Sequence, residues 1–362
     1  MLIIILSLVN RARAFSGAGS GTESEPYIIT NINQLQEMND DLRAWYALGN
    51  DIDATDTKNW NAGSGFIPVG TGNPYGDEAF KGHFHGRGYT IANLFIDRPD
   101  ADYVGLFGCA PSYSIENVGL INVNVTGRDY VGGLIGHTGS GNYRSQCYTT
   151  GIVKGSKYIG GLVGINWRTP ITDCYSTASV SGSQSVGGLI GAAIGFSGST
   201  STNAQVTHCY ATGLVNNGVS GDYIGGLVGH TVQTDWNSCY WDVETSGQVA
   251  GVGGIGKTTA EMKMQATFTG WDFTNVWGIQ EGLSYPFLRG IGESPSPPEM
   301  PGLLFQYGPD DREIPVGAFI DSGNITFLGV VNDPDGDRVK LQIELRELDE
   351  YEGYNTPQKL GA

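Results

Sequence analysis

Four of the five cysteines recur in one frame, and they are the first residues whose types and spacing suggest chemistry. They open CYTTG at Cys147, CYSTA at Cys174, CYATG at Cys209 and CYWDV at Cys239. If each sits at the same place in a stacked strand, the four thiols form a column. Side chains in register point the same way rather than toward one another, which is poor disulfide geometry. Four thiolates in a line also cannot surround a tetrahedral metal ion. The expectation is a reduced, buried column of small hydrophobes, with disulfides as the alternative.

The neighbouring tyrosines, Tyr148, Tyr175, Tyr210 and Tyr240, would form a matching column on the opposite face, flanked by Thr150, Thr177 and Thr212. An exposed aromatic strip with hydroxyls can stack on sugar rings and hydrogen-bond their edges. The alternative is cross-strand packing that stabilises the sheet by about 0.2–1 kcal/mol per pair. His83 and His85 in GHFHG share one face of a predicted strand, a spacing a metal site can use, although no carboxylate converges on them in sequence. His137 and His230 follow equivalent glycine marks in coils that are not neighbours, so they are not expected to meet. Near the C-terminus, Asp333, Asp335 and Asp337 alternate around a glycine in NDPDGD. Such hard oxygen ligands suit calcium, and the same residues are what an ordinary turn demands.

Catalysis leaves fewer traces. Polysaccharide cleavage needs two facing carboxylates or a clustered acid and base, but Asp129, Asp173 and Asp222 are dispersed over different coils. No Ser-His-Asp order, HExxH or phosphate loop is visible, and GVGGIGK at Gly251–Lys257 lacks the spacing of a phosphate loop.

The elements that position these residues are repeats. GLFG ends at Gly108, and GGLIG or GGLVG ends at Gly136, Gly164, Gly191 and Gly229. The central leucines, Leu106, Leu134, Leu162, Leu189 and Leu227, are 28, 28, 27 and 38 residues apart. A period near 27 suits one turn of a parallel β-solenoid, whose coils stack at about 4.8 Å and share one core. Alternation along each strand puts Cys147, Thr149, Gly151 and Val153 on the inward face and Tyr148, Thr150, Ile152 and Lys154 outside. The long spacing is attributed to one Gly/Ser/Thr insertion, Ala192–Ala204.

The predicted fold is therefore all-β: a parallel β-solenoid (β-helix) with short capping helices, plus a partial C-terminal β-sandwich. Residues 1–14 read as a secretory signal with Ala12-Arg13-Ala14 before the cleavage point. Residues 15–100 form an N-terminal cap and irregular first coils. Within them Ile32, Leu35, Met38 and Leu42 recur at helical spacing behind Asn31, a short helix suited to cover the open edge of the stack. Residues 101–247 are the regular coils. Residues 248–292 are a C-terminal cap in which Trp271, Phe273 and Trp277 close the last coil. A Pro-rich linker spans 293–302, and 303–362 reads as a truncated sandwich module.

Glycine is abundant, at 56 of 362 residues, and only 16% of residues are charged, which suits turn-dense β structure. A net charge of −17 repels nucleic acid and anionic lipid. No stretch of the mature chain is long and apolar enough for membrane insertion.

The GGLIG and GGLVG marks, the CY-S/T/A strands and the closing TTAEMKMQATFTGWDFTNVWGIQEGLSYPFL resemble GLUG-motif repeat proteins over roughly Gly17–Arg289. The resemblance implies an adhesin-like piece of a large secreted or surface protein, with no catalytic motif to carry over. NDPDGDRVKLQIEL is similar to the start of bacterial immunoglobulin- or cadherin-like modules.

Together these features predict an exported, non-catalytic surface protein for display and adhesion, with glycans or other surface proteins as partners and calcium the candidate ion of the C-terminal module. The rival expectation is a polysaccharide-degrading enzyme with its site near His83, His85 and Asp77. A third is a purely structural spacer.

Overall fold

The computed structural model describes residues 15–292, apart from positions 73, 75, 112–113, 140–143, 196–203 and 218–222, together with three strands of the C-terminal part. The chain divides into two units, Met1–Gly292 and Glu293–Ala362. The first is a parallel β-solenoid. Its largest sheet begins with Tyr27–Ile29, Trp45–Leu48 and His83–His85 and continues through Ile115–Thr126 and Arg144–Lys154. Every pairing along it is parallel, and the register places Tyr148 opposite Tyr175, Tyr175 opposite Tyr210, and Tyr210 opposite Tyr240. Two narrower parallel sheets carry the glycine marks: Asp129–Gly132, Lys157–Gly160, Gln184–Gly187 and Ile224–Gly225 in one, and Phe107–Ala110 through Val228–Val232 in the other.

The inward face is the expected one. Cys147, Thr149 and Val153 are buried, as are Cys174, Ser176, Ala178 and Val180 in the next coil and Cys209, Ala211 and Val215 in the third. Leu106, Leu134, Leu162, Leu189 and Leu227 are fully buried in the same core. The glycines allow close approach at the corners: a Cβ on Gly160 would lie 2.1 Å from the Val163 carbonyl oxygen and 2.6 Å from the Gly191 nitrogen. Thr149 to Gly151 carries a register irregularity against the preceding coil, with Gly151 at φ 113°.

Three expectations need correction. The long spacing between Leu189 and Leu227 comes from two expansions. From Trp167 to Ile171 is four residues, whereas their partners Ile194 and Val206 are twelve apart; from Gly182 to Val186 is four, whereas Asn217 and Ile224 are seven apart. At the N-terminus, Asn31 does cap the helix Ile32–Glu37 by accepting from the Asn33 and Gln34 amides, and Leu35 and Met38 enter the core. The outer edge of the first strand, however, is met by Ala18, which bridges to Ile28. Finally, Ile255–Lys257 adds the last parallel rung beside Tyr240–Asp242, and Trp271 and Trp277 do not sit on its end. The chain from Thr258 to Gly292 turns back along the flank of the stack as a strap.

In the second unit, Leu304–Tyr307 pairs antiparallel with Glu313–Ile314 and Thr326–Gly329. The signal segment, the linker and Asp333, Asp335 and Asp337 lie outside the described residues, as does most of the first expansion.

Candidate functional site

The strap decides the fate of the predicted sugar-binding strip. Tyr148, Tyr175, Tyr210 and Tyr240 do face away from the cysteines, yet each is buried, at 9% exposure or less. They form a second core with Met262, Phe268, Trp271, Trp277, Leu288 and Ile291. The indoles reach across several coils: Trp277 Nε1 donates to Asp173 Oδ1 at 2.9 Å, and Trp271 Nε1 donates to the Ser238 carbonyl at 2.9 Å. Tyr210 donates to the Pro286 carbonyl at 2.6 Å, and Tyr285 and Thr259 both donate to Asp242 Oδ2. The far end is tied where the Gly292 amide meets the Gly88 carbonyl at 3.0 Å. Thr150 accepts from the Asn122 amide and Thr212 is buried, so Thr150, Thr177 and Thr212 do not form an open hydroxyl row.

Register closes part of the strip as well. The rings of Tyr148, Tyr175 and Tyr210 stack at 4.8 and 4.9 Å with planes within 7°. Tyr175 spends both ring faces on its neighbours, leaving no face for a sugar. Burial raises the Tyr175 and Tyr210 phenols well above their usual range.

A second tyrosine ladder escaped the sequence reading. Tyr103, Tyr130, Tyr158 and Tyr223 each stand two residues before the first glycine of the mark, with Ser185 in the remaining coil, and all five are left-handed, with φ between 54° and 69°. Tyr103, Tyr130 and Tyr158 stack at 4.9 Å and are half-buried, while Tyr223 is exposed. The signal was present in DYVGLFG, DYVGG, KYIGG and DYIGG, where Tyr repeats in four of the five coils. His137 packs beside Tyr103 and Tyr130, and burial lowers its pKa to about 4. His137 and His230 are separated by two intervening strands, as expected.

The five cysteines are free and buried. Burial pushes the Cys109 thiol up to about 12 and holds Cys147 and Cys209 above the ordinary thiol range. An arginine shares their interior. Arg144 occupies an inward position between Ile115 and Ile171, is fully buried, and donates from Nη2 to the Ala110 carbonyl at 2.7 Å. Burial lowers its pKa to about 10, so it stays charged at neutral pH.

The remaining polar concentration lies on the first coils. A cavity of about 210 Å³ opens over Ala47, between Trp45 and His83 on one side and His85 and Arg87 on the other. Trp45 and His83 are cross-strand partners whose rings stack at 3.5 Å and 8°. His83 Nδ1 is 3.0 Å from Ser114 Oγ, and burial keeps this imidazole below its ordinary pKa. The Arg87 amide donates to His85 Nδ1 at 2.8 Å, so the neutral ring carries its proton on Nε2. Glu116, opposite His85 in register, and Glu23 complete the lining. Asp77, expected to join His83 and His85, instead pairs with Arg43 at 2.8 Å and Lys81 at 3.2 Å and does not line the cavity. Among the described residues, no three His, Cys, Asp or Glu side chains are placed to hold a metal ion.

Fold and sites together define a strapped parallel β-solenoid whose interior is structural. The chain carries the GLUG motif: the family model of that motif matches residues 155–181, one coil of the stack. Halomucin of Haloquadratum walsbyi is 40% identical over 316 residues, covering 75% of this chain and 3% of halomucin. A protein of Evansella cellulosilytica provisionally named a Gly-rich membrane protein is 38% identical over 123 residues, covering 32% of this chain and 12% of that one. The immunoglobulin A1 protease of Streptococcus sanguinis is 27% identical over 132 residues, 36% of this chain and 6% of the protease. The chain thus spans only a small part of each relative. A crystal structure from Bacteroides ovatus, of a protein described as a candidate immunoglobulin A1 protease, shares the fold with a TM-score of 0.55 at 21% identity, covering 75% of this chain and 94% of that one.

Proposed function

We propose that this chain is a non-catalytic, extracellular display and adhesion module. The observation that carries the reading is the use made of the predicted chemistry-bearing columns: the four cysteines, the Tyr148–Tyr240 column and the strap tryptophans Trp271 and Trp277 are consumed in holding coils together. What remains exposed is a register-locked scaffold. The names of the relatives agree with a place at the cell surface, and the shortness of each match agrees with one module among many. No helix among the described residues is long and apolar enough to cross a membrane.

Antibodies against the solenoid, applied to intact cells of the source organism, test the location; staining only after lysis overturns it. Adhesion is tested with beads coated in the full chain, which should adhere to surface polysaccharide more than uncoated beads do. The enzyme reading, raised by the protease names of two relatives, makes an opposite prediction. Release of reducing ends, unsaturated sugars or peptides from polysaccharide and immunoglobulin substrates would overturn the non-catalytic assignment.

A further inference from the structure

We infer that the cavity over Ala47 is a binding site for one neutral sugar ring, the point at which the scaffold meets a glycan. This rests on the display reading and names its ligand class.

Position argues first. The outer row runs from Ile28 through Ala47 and His85 to Glu116, then Ser145, Thr172, Thr207 and Asn237. The coils from Arg144 onward supply only hydroxyls and an amide there. The first coils supply an imidazole and the coil that follows them a carboxylate in the same row, with Trp45 and His83 in the row beside it. The small side chain of Ala47, between these larger neighbours, is what leaves the hollow.

The donors and acceptors argue second. Glu116 and Glu23 accept; His85 Nε2–H and the exposed Arg87 donate; the Trp45–His83 pair supplies an aromatic wall. A pyranose presents the complement: an apolar C–H surface and a belt of hydroxyls, each able to give and to take a hydrogen bond. At about 210 Å³ the cavity is smaller than the roughly 300–1,000 Å³ of drug-sized sites, so it takes one ring rather than a chain of them. Two carboxylates against one guanidinium, within a chain of net charge −17, disfavour an acidic sugar.

The test is saturation-transfer NMR on the full chain with the methyl glycosides of glucose, galactose, mannose, N-acetylglucosamine and, as the acidic probe, glucuronic acid. At least one neutral glycoside should receive transfer and glucuronide should not. Glu116→Gln keeps the shape of the side chain and should weaken that binding at least ten-fold, as should His85→Ala. Asp77→Asn, outside the cavity, should leave it unchanged, and equal melting temperatures for all three variants keep the comparison free of folding effects. Transfer to none of the neutral glycosides, to glucuronide alone, or transfer that E116Q and H85A leave untouched overturns the site. Surface staining of intact cells is independent of this result, so loss of the sugar site leaves the display reading standing, and a chain confined to the cell interior removes the adhesive role whatever the cavity binds.

Discussion

A thiol column inside a solenoid is protected by the walls of the coils, and burial holds the Cys147 and Cys209 thiols above the ordinary range. Native protein should therefore react slowly with a thiol reagent, while protein denatured without reductant should release all five cysteines at once; fewer than three would show disulfides. His137 gives the same interior a pH signature. Its native pKa of about 4 lies below the ordinary 6.5, so the unfolded chain binds the extra proton between those values. The stability contributed by His137 should fall as pH drops from about 6.5 to about 4 and level off below. At 1.36 kcal/mol per unit the contribution is on the order of 3 kcal/mol. Urea midpoints at pH 7, 5.5 and 4, compared with His137→Gln, isolate it, because the variant should lose that part of the slope. At this scale the sequence was legible where residues alternate: the burial of Cys147, Cys174 and Cys209 follows from counting along the strand. The closed faces of Tyr148, Tyr175 and Tyr210 do not, because alternation says which way a ring points and nothing of what lies on it.

Coils and strap obey different rules. A coil is specified locally, by a leucine, a cysteine and two glycines per turn, and its corners leave no room for a side chain. Gly160→Ala should cost about 1–3 kcal/mol or more, read as a lower denaturant midpoint. The strap is specified at long range, with Trp277 and Asp173 separated by 104 residues. No periodicity marks such a contact, and this is why its aromatic cluster reads from sequence as an end cap. Trp277 is fully buried; Trp277→Ala should cost about 3–5 kcal/mol. A chain ending at Lys257 should bind a hydrophobic dye through Tyr148, Tyr175, Tyr210 and Tyr240, whereas the intact chain should not.

Stacked coils touch only their neighbours, and such arrays tend to unfold piecemeal. Here the strap joins coils far apart, from Ser238 and Asp242 at one end to Gly88 near the other. The solenoid unit should melt in one transition by circular dichroism. Removing residues 258–292 should broaden it or split it into two. Halting at Lys257 thus tests cooperativity as well as coverage, and a transition that stays equally sharp would show that the coils cooperate unaided.

The return of the strap also fixes how tension travels. Phe15 lies against Tyr27 and Tyr46 in the first two rungs, and Gly292 is pinned to Gly88 one rung further on. The chain therefore enters and leaves the solenoid at the same end. A pull applied between those two points loads the first rungs and the Gly88–Gly292 tie. The rungs from Arg144 to Lys257 lie off the load line, like an arm held out from a taut rope. In a force spectrometer with handles at residues 15 and 292, the first rupture should come from that tie and the strap peeling behind it. A Trp277→Ala chain should rupture at lower force, and only afterwards should the coils unravel, from the first rungs outward.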